Sequence, residues 1–318
     1  MTGRHIFVTG GAGFIGSALV DRLVAEGAAV TAYDNLSLGR REVLARAIAT
    51  GRCTLIEADL LDVPALGAAL AGHDAVFHLA ANSDISLGRE QTDRDLRQGT
   101  LATFNVLDAM RQRGIRELVF ASTSAVYGED APQPFAEDAG PLLPISLYGA
   151  SKLASEALIS AFSHNFGLQA WIFRFANVVG GRATHGAVFD FIARLRRNPA
   201  ELTVLGDGRQ AKPYLFVEDC VDGMLFGWRK TTAPVNVFNL AVEGATAVGE
   251  IAEIVRTDMG LPGARIVFTA GARGWPGDVA QVRLNPSKLA TLGWQARRSS
   301  TDAIRDGVRA ALRDVSTT

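Results

Sequence analysis

The chain has 318 residues, is 48% hydrophobic and 20% charged, and carries a formal net charge of -1, a composition that excludes disorder and suits one large domain with a smaller companion. A charge near zero excludes general nucleic-acid binding and a polybasic membrane contact, and leaves a small-molecule partner. No run of about 18 apolar residues is present, nothing at the N-terminus resembles a signal peptide, and Cys53 and Cys220 lie far apart, so a cytoplasmic, reducing location is expected.

His5-Ile6-Phe7-Val8-Thr9 is a short apolar run ending in Gly10-Gly11-Ala12-Gly13-Phe14-Ile15-Gly16, after which Leu19, Leu23 and Val24 follow helical spacing. Strand, glycine turn and helix in that order suit a bound pyrophosphate. Gly10 serves the tight turn, Gly13 the approach of phosphate to backbone, and Gly16 the close seating of helix on strand. A second strand over 29–33 leads to Asp34, placed to accept from both ribose hydroxyls of an adenosine and to repel a 2'-phosphate. The expected cofactor is NAD rather than NADP, although Arg40 and Arg41 lie just downstream.

The alternation continues with a strand over 53–57, a helix over 64–71, a strand over 75–79, a long helix over about 92–112 and a strand over 117–121. This pattern predicts an α/β fold, a Rossmann-type doubly wound parallel sheet with ligands at the carboxyl ends of its strands. There lie Asp59-Leu60, Ala80-Ala81 and the hydroxyl cluster Ser122-Thr123-Ser124. From Pro144 the chain enters a helix bearing Tyr148 and Lys152, four apart and so on one face. With four tyrosines in all, and lysine only at 152, 212, 230 and 288, chance supplies about 0.05 such pairs. A cation beside a phenol favours the phenolate and brings tyrosine into range for proton transfer. Thr123, at a strand end facing the start of this helix, is placed to bind the same substrate oxygen.

Beyond about Val178 the pattern loosens into a loop with Gly180-Gly181-Arg182 and His185, then a helix with Phe189, Ile192 and Leu195. Strands over 202–205, 215–217 and 265–268 and helices from Glu218, over 248–259 and over 301–313 complete a smaller C-terminal α/β substrate domain. The expected division is a cofactor domain over 1–177, with about 212–240 returning to it, and a substrate domain over 178–318.

The glycine pattern at 10–16, Tyr33-Asp34-Asn35-Leu36-Ser37, His78-Leu79-Ala80-Ala81, Val126-Tyr127-Gly128, Tyr148-Gly149-Ala150-Ser151-Lys152 and Arg174-Phe175-Ala176-Asn177 resemble the extended short-chain dehydrogenase/reductase family. Within it the chain is most similar to the UDP-glucose (UDP-galactose) 4-epimerases. That resemblance implies NAD held by Gly10, Gly13, Phe14, Ile15, Gly16, Asp34, Asn35, Leu36, Ser37, Gly39, Asp59, Leu60, Leu79, Ala80, Ala81, Ser122, Tyr148 and Lys152. It implies a UDP-hexose or related nucleotide sugar held by Thr123, Tyr148, Asn177, Val188, Lys212 and Arg273, with Tyr148, Lys152 and Thr123 catalytic. C4 is oxidised to a 4-keto sugar, and hydride returns to either face. Lys152 is expected to lower the tyrosine's pKa. No metal is expected. Family members pair through the long helix and the Tyr148 helix, so a homodimer follows.

Departures from the family narrow the reaction. Where 4,6-dehydratases carry Asp and Glu after the hydroxyl, and decarboxylases a Glu before Val-Tyr-Gly, this chain has Ser124 and Ala125. Neither elimination nor that decarboxylation is supported. The family's usual Asn at the start of the long helix is Gly99, and the usual Arg-Asp before the last cofactor-domain strand is Lys212-Pro213. Trp275 stands where a phosphate-binding Arg is usual, so Arg273 has to reach in, and Val282 replaces the large sugar-pocket residue of some 4-epimerases, room for an N-acetyl group. The alternatives are a 4-ketoreductase or dehydrogenase of the same family and a non-catalytic dinucleotide-binding protein. The latter has no need of Thr123, Tyr148 and Lys152 together.

Overall fold

The protein was analysed as a computed structural model that describes residues 1–82, 90–271, 279 and 281–314. Six strands in chain order, β1 (His5–Thr9), β2 (Ala29–Asp34), β3 (Cys53–Glu57), β4 (Ala75–His78), β5 (Glu117–Thr123) and β6 (Gln169–Phe175), join Val235–Leu240 in a seven-stranded sheet. Across it the order is Val235–Leu240, β6, β5, β4, β1, β2, β3. β1 pairs in parallel with both β2 and β4, Val8 lying opposite Ala32 and Phe77. Winding outward from β1 to β3 and then back to β4 makes the end of β1 a topological switch point. The apolar run in β1 reflects burial on both faces: Ile6, Phe7 and Val8 are fully enclosed.

The helix Leu147–Phe166 starts where Ser146 accepts from the Gly149 amide at 3.0 Å and stops at Gly167 in the left-handed region. The long helix expected over 92–112 is instead a π-helical turn, Leu96–Leu101, running into an α-helix, Ala102–Arg113. Gly99 lies within that turn. A Cβ there would stand 1.9 Å from Ser151 Oγ and 3.2 Å from Ser151 Cβ, so a side chain at 99 requires the Ser151 hydroxyl to turn away and the two helical segments to ease apart slightly.

The chain groups into two compact units, each discontinuous in sequence. The first comprises Met1–Val126, Leu142–Arg174 and Met224–Phe238, and the second Tyr127–Pro141, Phe175–Gly223 and Asn239–Thr318. Val76, Val106, Met110, Leu118, Phe120 and Ile159 are among the core of the first. In the second, helices Ala187–Arg197, Val248–Asp258 and Ser300–Arg313 pack together through buried Ile192, Leu195, Ile251, Val255, Ile304 and Val308. Short strand pairs surround them: Asn177–Val179 with Tyr214–Phe216, Ala211–Lys212 with Thr246–Ala247, and Glu201–Val204 with Arg265–Phe268. Tyr127 stacks on Phe135 at 4.7 Å between ring centres, and its hydroxyl donates to Asn239 Oδ1 at 2.7 Å.

Candidate active site and dinucleotide cradle

The turn after β1 is built for close approach. Gly10 has φ +65°, and a Cβ there would lie 2.8 Å from Ala80 N; a Cβ on Gly16 would lie 2.0 Å from Gly10 O. Only glycine satisfies either position. A Cβ on Gly13, by contrast, would meet only Gly10 O, at 3.1 Å. Phe14 and Ile15 open the helix Phe14–Ala25, whose N-terminus has no side-chain cap and no acidic residue in its first turn. Its amides remain available to an anion.

Asp34, at the end of β2, accepts from Ala12 N at 3.0 Å and from Leu36 N at 2.9 Å. Burial raises its pKa, and those two bonds oppose the rise. A Cβ on Gly39 would come 2.8 Å from Asp34 Oδ1, so this loop wraps directly around the carboxylate. Asn35 donates to Asp59 Oδ2 at 2.9 Å, the Ser37 hydroxyl donates to Asn35 Oδ1 at 2.7 Å, and Leu61 N donates to Asp59 Oδ1. Leu60 is buried, and its carbonyl accepts from Asn105. A carboxylate on a glycine-lined turn fits the adenosine ribose of NAD and opposes a 2'-phosphate.

Leu79 and Ala80, followed by Ala81, are fixed from below. Both amides donate to Thr9 Oγ1 at 3.2 Å, and Thr9 Oγ1 lies 2.7 Å from His78 Nδ1. On the other side of the ring, His78 Nε2 lies 3.0 Å from Thr103 Oγ1, whose own proton goes to Gly99 O. Nε2 therefore carries the imidazole proton and Nδ1 accepts from Thr9. Complete burial pushes the ring's pKa down to about 3, so it is neutral.

At the end of β5, Lys152 Nζ donates to Ala121 O at 2.7 Å and lies 4.6 Å from the Phe120 ring centre and 6.0 Å from that of Tyr148. The Ser122 hydroxyl donates to Glu156, which also receives Arg174 in a buried ion pair at 2.8 Å. Thr123 accepts from Ala125 N and hydrogen-bonds Tyr148. The structure thus brings Thr123, Tyr148 and Lys152 together. The expected lowering of the phenol by Lys152 is not found: desolvation pushes Tyr148 up to about 12, with Asp95 adding to the rise and only Thr123 opposing it. Burial likewise pulls Lys152 down to about 8, while Glu156 and Asp95 work to keep it charged.

In the second unit, Asn177 is exposed at the start of its strand, Val188 is buried, and Lys212 is partly buried opposite Thr246. Arg273 lies outside the described residues. The sequence alone did not single out His78, Thr9, Asn82, Asp95 or Glu156 as site-forming. Of these only Glu156 carries a signal, one turn beyond Lys152 on the same helix face. No cluster of metal-ligating side chains occurs among the described residues.

The family described as the NAD dependent epimerase/dehydratase family matches residues 6–241. A putative UDP-glucose 4-epimerase of Methanocaldococcus jannaschii is 30% identical over 309 residues, covering 94% of this chain and 96% of the relative. A crystal structure of a UDP-galactose 4-epimerase is similar at a TM-score of 0.88 and 39% identity, over 98% of this chain and 99% of the other. The UDP-glucose 4-epimerase of Thermus thermophilus, solved in complex with NAD, is similar at a TM-score of 0.86 and 29% identity, over 98% and 100% of the two chains.

Proposed function

The chain belongs to the NAD dependent epimerase/dehydratase family, and from that membership we propose that it interconverts the C4 epimers of a UDP-hexose, with UDP-glucose and UDP-galactose as the expected pair. It is an NAD-dependent sugar-nucleotide epimerase. The observation that carries the reaction is the set Thr123, Tyr148 and Lys152 at one strand end, with no carboxylate at 124 or 125 to drive elimination. The uncapped helix N-terminus and Asp34 fit NAD, which when bound supplies the hydride acceptor and donor that take C4 to a ketone and back, on either face.

The chain's own residues handle the proton and the geometry. Tyr148 exchanges its phenolic proton with the C4 oxygen, acting as base toward the hydroxyl and as acid toward the returning alkoxide. Thr123 holds the phenol by a hydrogen bond and orients the same sugar oxygen. Lys152, anchored on Ala121 O, supplies the positive charge that balances a phenolate. Gly10, Gly13, Phe14, Ile15, Gly16, the 34–39 loop, Asp59, Leu60, Leu79, Ala80, Ala81 and Ser122 complete the proposed cofactor contacts. Asn177, Val188, Lys212 and Arg273 are proposed to take the sugar and diphosphate, so that the first unit serves the cofactor and the second the nucleotide sugar. Val282, a buried side chain of modest size, fits tolerance of a UDP-N-acetylhexosamine.

A cytoplasmic homodimer completes the proposal. Both cysteines are buried and free, and no helix among the described residues is long and apolar enough to cross a membrane. The test is to incubate purified protein, with no added cofactor, with UDP-galactose and separately with UDP-glucose, and to resolve the products by chromatography. Interconversion that is lost in Tyr148→Phe supports the reaction. No conversion of either sugar or of their N-acetyl forms, even with NAD added, overturns it.

A further inference from the structure

Asp34, Asp95, Glu156 and Asp219 are the buried carboxylates of the described residues. Asp34 has two backbone amides, Glu156 has Arg174 and Ser122, and Asp219 has Arg298. Asp95 is 2% exposed, yet it receives only Asn82 Nδ2 on Oδ1, at 3.1 Å, and its Oδ2 has no hydrogen-bond partner among the described residues. Enclosing a carboxylate so thinly partnered costs free energy. Its location gives that cost a purpose. Asp95 heads the π-helical turn Leu96–Leu101, which is locked onto the catalytic helix by Gly99 against Ser151 and by the Thr100 hydroxyl donating to Ser151 O at 3.3 Å. Ser151 directly precedes Lys152 and lies three residues beyond Tyr148.

The charged and titratable groups that face Asp95 are Tyr148 and Lys152 from that helix and Arg94 from its own segment. Lys152 in turn faces Glu156 and the neutral His78. Resting on the epimerase reading, we propose that Asp95 is a positioning residue that sets the pH at which the Tyr148 and Lys152 pair exchanges its proton, acting through its charge rather than by touching the sugar. A fixed negative charge disfavours the phenolate and favours the ammonium, so both groups titrate higher with it than without it. Low local polarity strengthens the effect. Burial raises the pKa of Asp95, and the Asn82 amide, with the Arg94 and Lys152 charges, opposes that rise and favours the ionised form.

The decisive variant is Asp95→Asn, which matches the side chain in shape and retains an oxygen for Asn82. Its pH profile of epimerisation is expected to move to lower pH by about one unit or more, and Asp95→Glu to return it toward the parent. A readout free of turnover is the ultraviolet tyrosinate titration of the protein, with the Tyr148→Phe titration subtracted. In the Asp95→Asn background the Tyr148 component is expected at lower pH. Asn82→Ala, which removes one of the interactions that favour the ionised form of Asp95, is expected to move the profile the same way by less, and it decides the matter if Asp95→Asn does not fold. A profile that keeps its position while turnover falls uniformly, or an unmoved tyrosinate component, overturns the proposal. If the parent protein epimerises no sugar, the reaction reading fails, and the tyrosinate titration still decides the role of Asp95.

Discussion

Desolvation pushes the pKa of Tyr148 up to about 12, so the phenol has to give up its proton before it can act as base toward the C4 hydroxyl. Replacing Tyr148 with phenylalanine removes the proposed proton-exchanging group, so turnover is expected to fall by about 10²- to 10⁴-fold, with NAD binding by calorimetry little changed. Thr123 is the one group that eases the phenol downward. Thr123→Ala is therefore expected to slow turnover and shift the pH profile upward, and Thr123→Ser to restore both; equal profiles for all three would remove Thr123 from the proton transfer. The Tyr148 and Lys152 pair is legible in the sequence because a four-residue spacing fixes neighbours on a helix. Asp95 is not, since its connection to that pair runs through a π-helical turn and a glycine contact that no periodicity announces.

Among the elements, β4 and the turn after β1 are coupled through His78. Its pKa is pushed down to about 3 in the folded chain, against about 6.5 when unfolded. Between those values the unfolded chain takes up a proton that the folded chain refuses, so stability rises with pH across this window. It is fully present above about pH 6.5 and is lost progressively toward 3. Urea unfolding midpoints should therefore fall on acidification more steeply for the parent than for His78→Asn; parallel slopes would assign acid sensitivity elsewhere. The strands of the main sheet are legible as apolar runs because they are buried on both faces. The strands Ala211–Lys212 and Thr246–Ala247 escape the sequence because two residues cannot show alternation.

For the molecule as a whole, each compact unit is assembled from separated stretches. Tyr127–Pro141 groups with the second unit through Tyr127, Phe135 and Asn239, a connection over more than a hundred residues that composition cannot reveal. The first unit also leaves an apolar surface on its two long helices: Leu101 and Phe104 are 45% and 42% exposed, and Phe166 is 50% exposed. Side chains of this kind, on helices long enough to pair, are what a homodimer buries. Light scattering after size exclusion is expected to report twice the chain mass, and Phe104→Asp to shift it toward the monomer. A parent protein at monomer mass would remove the homodimer from the proposal.

The contact between Gly99 and Ser151 also couples the two positions. A side chain at 99 finds its first carbon 1.9 Å from the Ser151 hydroxyl oxygen and 3.2 Å from its Cβ, so the two positions do not vary independently. Gly99→Ala alone is expected to lower the melting temperature, and the same change on a Ser151→Gly background to lower it much less, a non-additivity measurable as a double-mutant cycle.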